Sequence, residues 1–154
     1  MQRQTLMLAA LINAVAAPFA TAGAFEMEDL LWRNRPLLLF VPHAGSPGAR
    51  GLEGALVRAA ADLAERDMVV IRVEGIERAV LGADELPPAT AALLRQRYRV
   101  PDGTITLILV GKDGAEKLRG DDTTNLQAVF ERVDSMPMRR REMREGQVPR
   151  PGSD

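Results

Sequence analysis

Two stretches of the chain carry residue types able to do chemistry. The first, "HAGSPGARG" (residues 43–51), holds the sole histidine, His43, with Ser46 and Arg50 close behind it. It leads into an amphipathic run, and a helix start offers unpaired backbone N–H groups that attract anions. His43, Ser46 and Arg50 therefore suit a small ligand or anion. They equally suit a loop that merely reverses the chain, since every helix has such a start. The second stretch, "VDSMPMRRREMREG" (133–146), sets thioethers beside guanidinium groups. Met136, Met138 and Met143 are soft donors of the kind copper(I) takes, and Arg139, Arg140 and Arg141 are of the kind phosphates take.

Neither chemistry survives the neighbouring residues. Met136 falls in step with the apolar stripe before it, which leaves too few exposed thioethers, so no metal site is expected. Glu142 and Glu145 interrupt the arginines, and a formal net charge of −1 gives no long-range field for nucleic acid or an anionic membrane. What remains is a structural motif, a partner-binding surface, or both. On this reading Pro137 ends a helix, Met136 and Met138 pack beside a sheet edge, and Asp134 or Glu142 pairs with one of Arg139, Arg140 and Arg141.

One histidine and no cysteine give no zinc pattern, and one serine in a Gly/Pro loop is no hydrolase signature. Thiol-disulfide and thiol-peroxide chemistry need a thiolate, and the chain has none to offer. Cysteine-based redox catalysis is excluded, catalysis of any other kind is not indicated, and no cofactor is expected.

The elements that must position these stretches follow from apolar spacing. "MEDLLW" (27–32) reads as a short helical lead-in stopped at Arg35-Pro36. "LLLFV" (37–41) is a continuous apolar run, as in a strand buried on both faces. Leu52, Ala55, Leu56, Ala59, Ala60 and Leu63 recur at helical spacing, giving one amphipathic helix over 52–67. "MVVIRV" (68–73) is a β-branched strand, 75–86 a polar connection, and a helix starting at Pro87 takes in Leu93, Leu94 and Tyr98. "TITLILV" (104–110) is a strand, and the turn "GKDG" returns the chain antiparallel through "AEKLRG". Thr123 or Thr124 caps a last helix with the stripe Leu126, Val129, Phe130, Val133. The order β-α-β-α-β-β-α, with a right-handed parallel crossover first, makes a mixed four-stranded sheet with helices on both faces. This is the thioredoxin-like α/β architecture.

The chain opens with Arg3, an apolar run over 5–17, Pro18 and the small residues Ala22-Gly23-Ala24. That is the order of a secretory signal peptide, too short in its apolar part to span a bilayer. We therefore expect a signal peptide at 1–24, cleaved after Ala24 or Ala22, a single domain over 25–145 and a disordered tail over 146–154. The location expected is periplasmic or secreted, with no stable membrane anchor after cleavage.

"RPLLLFVP", "LILVGKDG" and "VDSMPMRRREM" together resemble a domain family of unknown function found in small exported bacterial proteins, with a similar domain in animal extracellular sushi-repeat-containing proteins. The resemblance covers about residues 30–143. It implies a thioredoxin-like fold related to peroxiredoxins and brings no established activity. Peroxiredoxins carry a proline, then a threonine or serine, then the peroxide-reducing cysteine after the first core strand; Pro42, Ser46 and Ala49 stand at those spacings. The cysteine position holds alanine. Thioredoxins also place a proline directly before the third core strand, where this chain has Gly103, with Pro101 two positions earlier. The expected function is a non-catalytic, exported protein-interaction module. The alternative is a small-ligand or anion-binding protein that uses the loop at His43. The sequence names neither partner nor ligand.

Overall fold

The first core strand, β1 (Arg35–Val41), is buried at all of its 7 positions, which requires cover on both faces and pairing on both edges. A computed structural model, describing residues 25–147, shows how both are supplied. The expected signal segment 1–24, with its cleavage positions, lies outside the described residues, as does the tail from 148 onward. β1 pairs in parallel with β2 (Met68–Glu74) and antiparallel with β5 (Thr106–Val110). β5 in turn pairs antiparallel with β6 (Glu116–Gly120) across the expected Gly111–Gly114 turn.

Alternation along β1 divides the core into two apolar layers. Leu37, Leu39 and Val41 pack on the side of α1 (Arg50–Arg58), α2 (Ala60–Glu65) and α4 (Leu126–Asp134). Leu38 and Phe40 pack on the side of α3 (Thr90–Tyr98), with Leu94 and Tyr98 turned inward. The thioredoxin-like sandwich of helices around a mixed sheet is therefore present.

Several local expectations need correction. The sheet has six strands, in the order β4-β3-β2-β1-β5-β6, where the sequence suggested four. The added pair, β3 (Arg78–Leu81) and β4 (Asp84–Glu85), occupies the segment read as a polar connection. These strands are short and lie at an edge, so pairing of β3 to β2 and of β4 to β3 holds them with only Ala79 and Val80 buried. The helix expected over 52–67 is broken at Ala59, whose ψ of 15° leaves the helical range and separates α1 from α2. α4 is capped by Asn125, whose side chain accepts from the Gln127 N–H at 2.9 Å. Thr124 instead accepts from the Asp121 N–H at 2.9 Å, closing the turn before it.

Pro137 does not end a helix. α4 has already stopped at Asp134, and Pro137 opens a further helix, α5 (Pro137–Gln147). Proline suits the first helical position, where no intrahelical N–H bond is required. α5 runs on to Gln147, the last of the described residues. Met136, expected to be buried, is only partly so and packs at the margin of the core.

Candidate interaction site

The C-terminal motif separates into two sets of side chains with different surroundings. Asp134, Arg139 and Glu142 turn inward to an ionic network; Met136, Pro137, Met138 and Arg141 line an open cleft. Arg140 is exposed, and its backbone N–H bonds to the Met136 carbonyl at 3.0 Å.

The network is built around Arg35, which is only 1% exposed although it carries a full charge. Its Nη2 donates to both Glu142 carboxylate oxygens, at 3.0 and 3.2 Å, and its Nη1 donates to the Arg66 carbonyl at 2.8 Å. Lys112, in the β5–β6 turn, donates to Glu142 Oε1 and to Asp67 Oδ2, each at 2.8 Å. Arg66 grips Asp134 with two hydrogen bonds, at 3.1 and 2.9 Å, while stacking over the Phe130 ring. Arg139 reaches Asp134 at 3.2 Å and Glu65 at 2.7 Å. Burial alone would raise the Asp134 and Glu142 carboxyls, but the cations hydrogen-bonded to them outweigh it and hold both below the ordinary carboxylate range. The start of β1, the α2–β2 turn, the β5–β6 turn and the α4–α5 joint are thereby fixed together.

Above this network lies a cleft of about 480 Å³. Trp32, Met136, Pro137 and Met138 supply its apolar lining, and Arg132 and Arg141 belong to the lining as well. Trp32 is 65% exposed, and its backbone is left-handed at a φ of 63°. A bulky residue there costs of the order of 1–3 kcal/mol and persists only where the surroundings hold it. The hold is visible: the Trp32 N–H donates to the Lys112 carbonyl at 2.7 Å. The chain thus spends strain to keep an indole in solvent beside two methionines.

The loop at His43 is arranged differently. Ser46 is 3% exposed, and its hydroxyl donates to the His43 carbonyl at 2.6 Å while accepting from the His43 N–H at 3.1 Å. Ser46 is therefore occupied in closing its own turn. The His43 side chain borders a cavity with Glu74, Glu77 and Asp102, a lining that includes neither Ser46 nor Arg50. The three residues do not line that cavity together. Arg78 in the same lining pairs with Glu74, but Glu77 and Asp102 beside His43 oppose an anion.

Ala49, at the position of the peroxide-reducing cysteine implied by the resemblance, is fully buried in the core. In the other core layer, over the Phe40 ring, the buried Arg95 donates to the carbonyls of Val41, Gly75 and Pro101 at 2.7, 2.6 and 2.8 Å. Its guanidinium closes off the ends of β1 and β2 with backbone bonds. Sequence reading missed Arg35, Lys112, Arg95 and Trp32. An arginine directly before a fully apolar run was a usable signal, because a charge at such a position demands a partner. The exposure of Trp32 had no such signal, since nothing in its neighbours foretells a left-handed backbone.

The arrangement of sheet and helices is that of the peroxiredoxins, a class with the thioredoxin-like fold. Thioredoxin peroxidase I of Plasmodium yoelii is similar with a TM-score of 0.55 and 13% identity, covering 82% of this chain and 83% of that one. The mitochondrial 2-Cys peroxiredoxin of Plasmodium falciparum is similar with a TM-score of 0.55 and 12% identity, covering 82% and 87%. At these identities the likeness is one of fold alone. The chain belongs to the family described as Domain of unknown function (DUF4174), whose model matches residues 26–142 and so runs through Glu142, the partner of Arg35. Sushi repeat-containing protein SRPX of Rattus norvegicus is 30% identical over 126 residues, and that of Homo sapiens is likewise 30% identical over 126. The match covers 80% of this chain but only 27% of either relative's length.

Proposed function

We propose that the protein is an exported, non-catalytic protein-interaction module whose contact surface is the cleft beside Trp32. The observation that carries this is the strained, solvent-facing indole that lines one cleft with Met136 and Met138. Aromatic and methionine side chains displayed on a rigid base are the anchors that interfaces favour. The absence of cysteine removes the thiol chemistry associated with the fold, and the ionic network beneath makes the surface preorganised. Export rests on the charged, apolar and small-residue order of the first 24 positions. Among the described residues no helix is long and apolar enough to cross a membrane.

The test is cross-linked affinity capture from the compartment that holds the protein, comparing Trp32→Gly with Val57→Asp, a change on the exposed surface of α1. Glycine accepts the left-handed backbone, so the first variant removes the indole without adding strain. Loss of the captured partner in Trp32→Gly alone supports the reading. Retention there, with loss in Val57→Asp, moves the interface to the exposed surface of α1.

A further inference from the structure

We infer that the cleft takes an acidic peptide segment carrying an apolar anchor residue, an inference that rests on the interaction reading above and specifies its partner. The charge balance of the lining points this way. Among the described residues Asp113 is the only carboxylate in the lining, and Lys117 already holds it at 2.7 Å. The charges of Arg35 and Lys112 are consumed by Glu142 and Asp67. Arg132 and Arg141 have no carboxylate within ion-pairing distance among the described residues. Arg132 is positioned by a hydrogen bond from its Nε to the Lys117 carbonyl at 3.2 Å, which leaves its charge uncompensated. Two guanidinium groups therefore border an apolar trough with no anion of their own.

The trough sets the other half of the specificity. Trp32, Met136 and Met138 offer an indole face and two thioethers, which adapt to an aliphatic or aromatic anchor. A volume of about 480 Å³ has room for a side chain or two of a bound segment. A simple inorganic anion would leave that apolar surface uncovered. Guanidinium groups at the border then receive flanking carboxylates with paired hydrogen bonds. The partner class is a segment in which Asp or Glu flanks Leu, Met or Phe.

Trp32 is the single tryptophan of the chain, so its emission reports on the cleft directly. The probe is a short synthetic peptide with a central Leu flanked by Asp and Glu, titrated into the full mature protein. Matched peptides carry Lys in place of the acids, or Ser in place of Leu. The acidic apolar peptide should shift Trp32 emission to the blue and saturate, with affinity falling as salt rises. The double variant Arg132→Glu, Arg141→Glu should weaken it by about tenfold or more, while circular dichroism confirms an unchanged fold. An unshifted emission, or equal affinity in the double variant, overturns the inference. So does an equal shift with inorganic phosphate, or a dimer in light scattering that already shields Trp32. Equal binding of the Lys peptide overturns the acidic class but leaves the interaction surface standing, because capture by the Trp32→Gly protein tests that surface without reference to charge.

Discussion

Arg35 carries its charge at 1% exposure, and Glu142, still 25% exposed, is the carboxylate that makes this tolerable. Removing one member of a buried pair leaves the other uncompensated, which costs more than the pair itself contributes. Glu142→Ala is therefore expected to lower unfolding free energy by about 2–4 kcal/mol, the partial exposure of Glu142 keeping the loss below the fully buried limit. Arg140→Ala, in the same helix but exposed, should change it by less than about 0.5 kcal/mol. Denaturant unfolding of the two variants beside the parent separates them; equal midpoints would remove Arg35–Glu142 from any structural role. The pairing of Arg139 with Asp134 was legible from their spacing and opposite charge. That of Arg35 with Glu142 was not, since it depends on β1 and α5 meeting in space.

At the scale of elements, what could be read was decided by how much burial each one has. β1, β2 and β5 declare themselves by continuous apolar runs, and the β5–β6 hairpin by its Asp-Gly turn. β3 and β4 bury little, so their few apolar residues gave no pattern distinguishable from a loop. The break at Ala59 passed unseen because alanine spacing is compatible with one long helix or two short ones. Pro137 was ambiguous in kind, since proline both stops helices and starts them. As the opening residue of α5 it gives up no helical hydrogen bond, so Pro137→Ala should cost less than about 1 kcal/mol in thermal unfolding. A loss of several kcal/mol would instead mean that the ring fixes the α4–α5 angle on which the cleft depends.

For the whole molecule, acid sensitivity follows from the same carboxylates. Asp134, Glu142 and Glu74 all bind protons less readily in the folded chain than their ordinary values of 3.8, 4.5 and 4.5. For Glu74 too, burial acts upward and the hydrogen bonds from Arg78 and Arg72 overcome it. A carboxyl lowered on folding contributes its stability above the unfolded value and loses it as pH drops through the folded one. The unfolding midpoint should be level at neutral pH and decline once pH passes below about 4.5, as circular dichroism across a pH series would show. Glu142→Gln should flatten that decline. The lack of thiol chemistry was legible from composition alone, whereas the burial of Ala49 was not. An Ala49→Cys protein should therefore react slowly with a soluble thiol reagent, because a thiol enclosed by apolar side chains keeps its proton.

The bond between Arg35 and Glu142 spans 107 positions of the chain, and this has a consequence in time. During synthesis the first strand is complete long before the carboxylate that neutralises it has been made. Until then, burying the start of β1 means burying a guanidinium without its carboxylate, a cost set against the apolar gain of closing the sheet early. Closure of the network therefore waits for α5, whose carboxylate is made after every strand of the sheet.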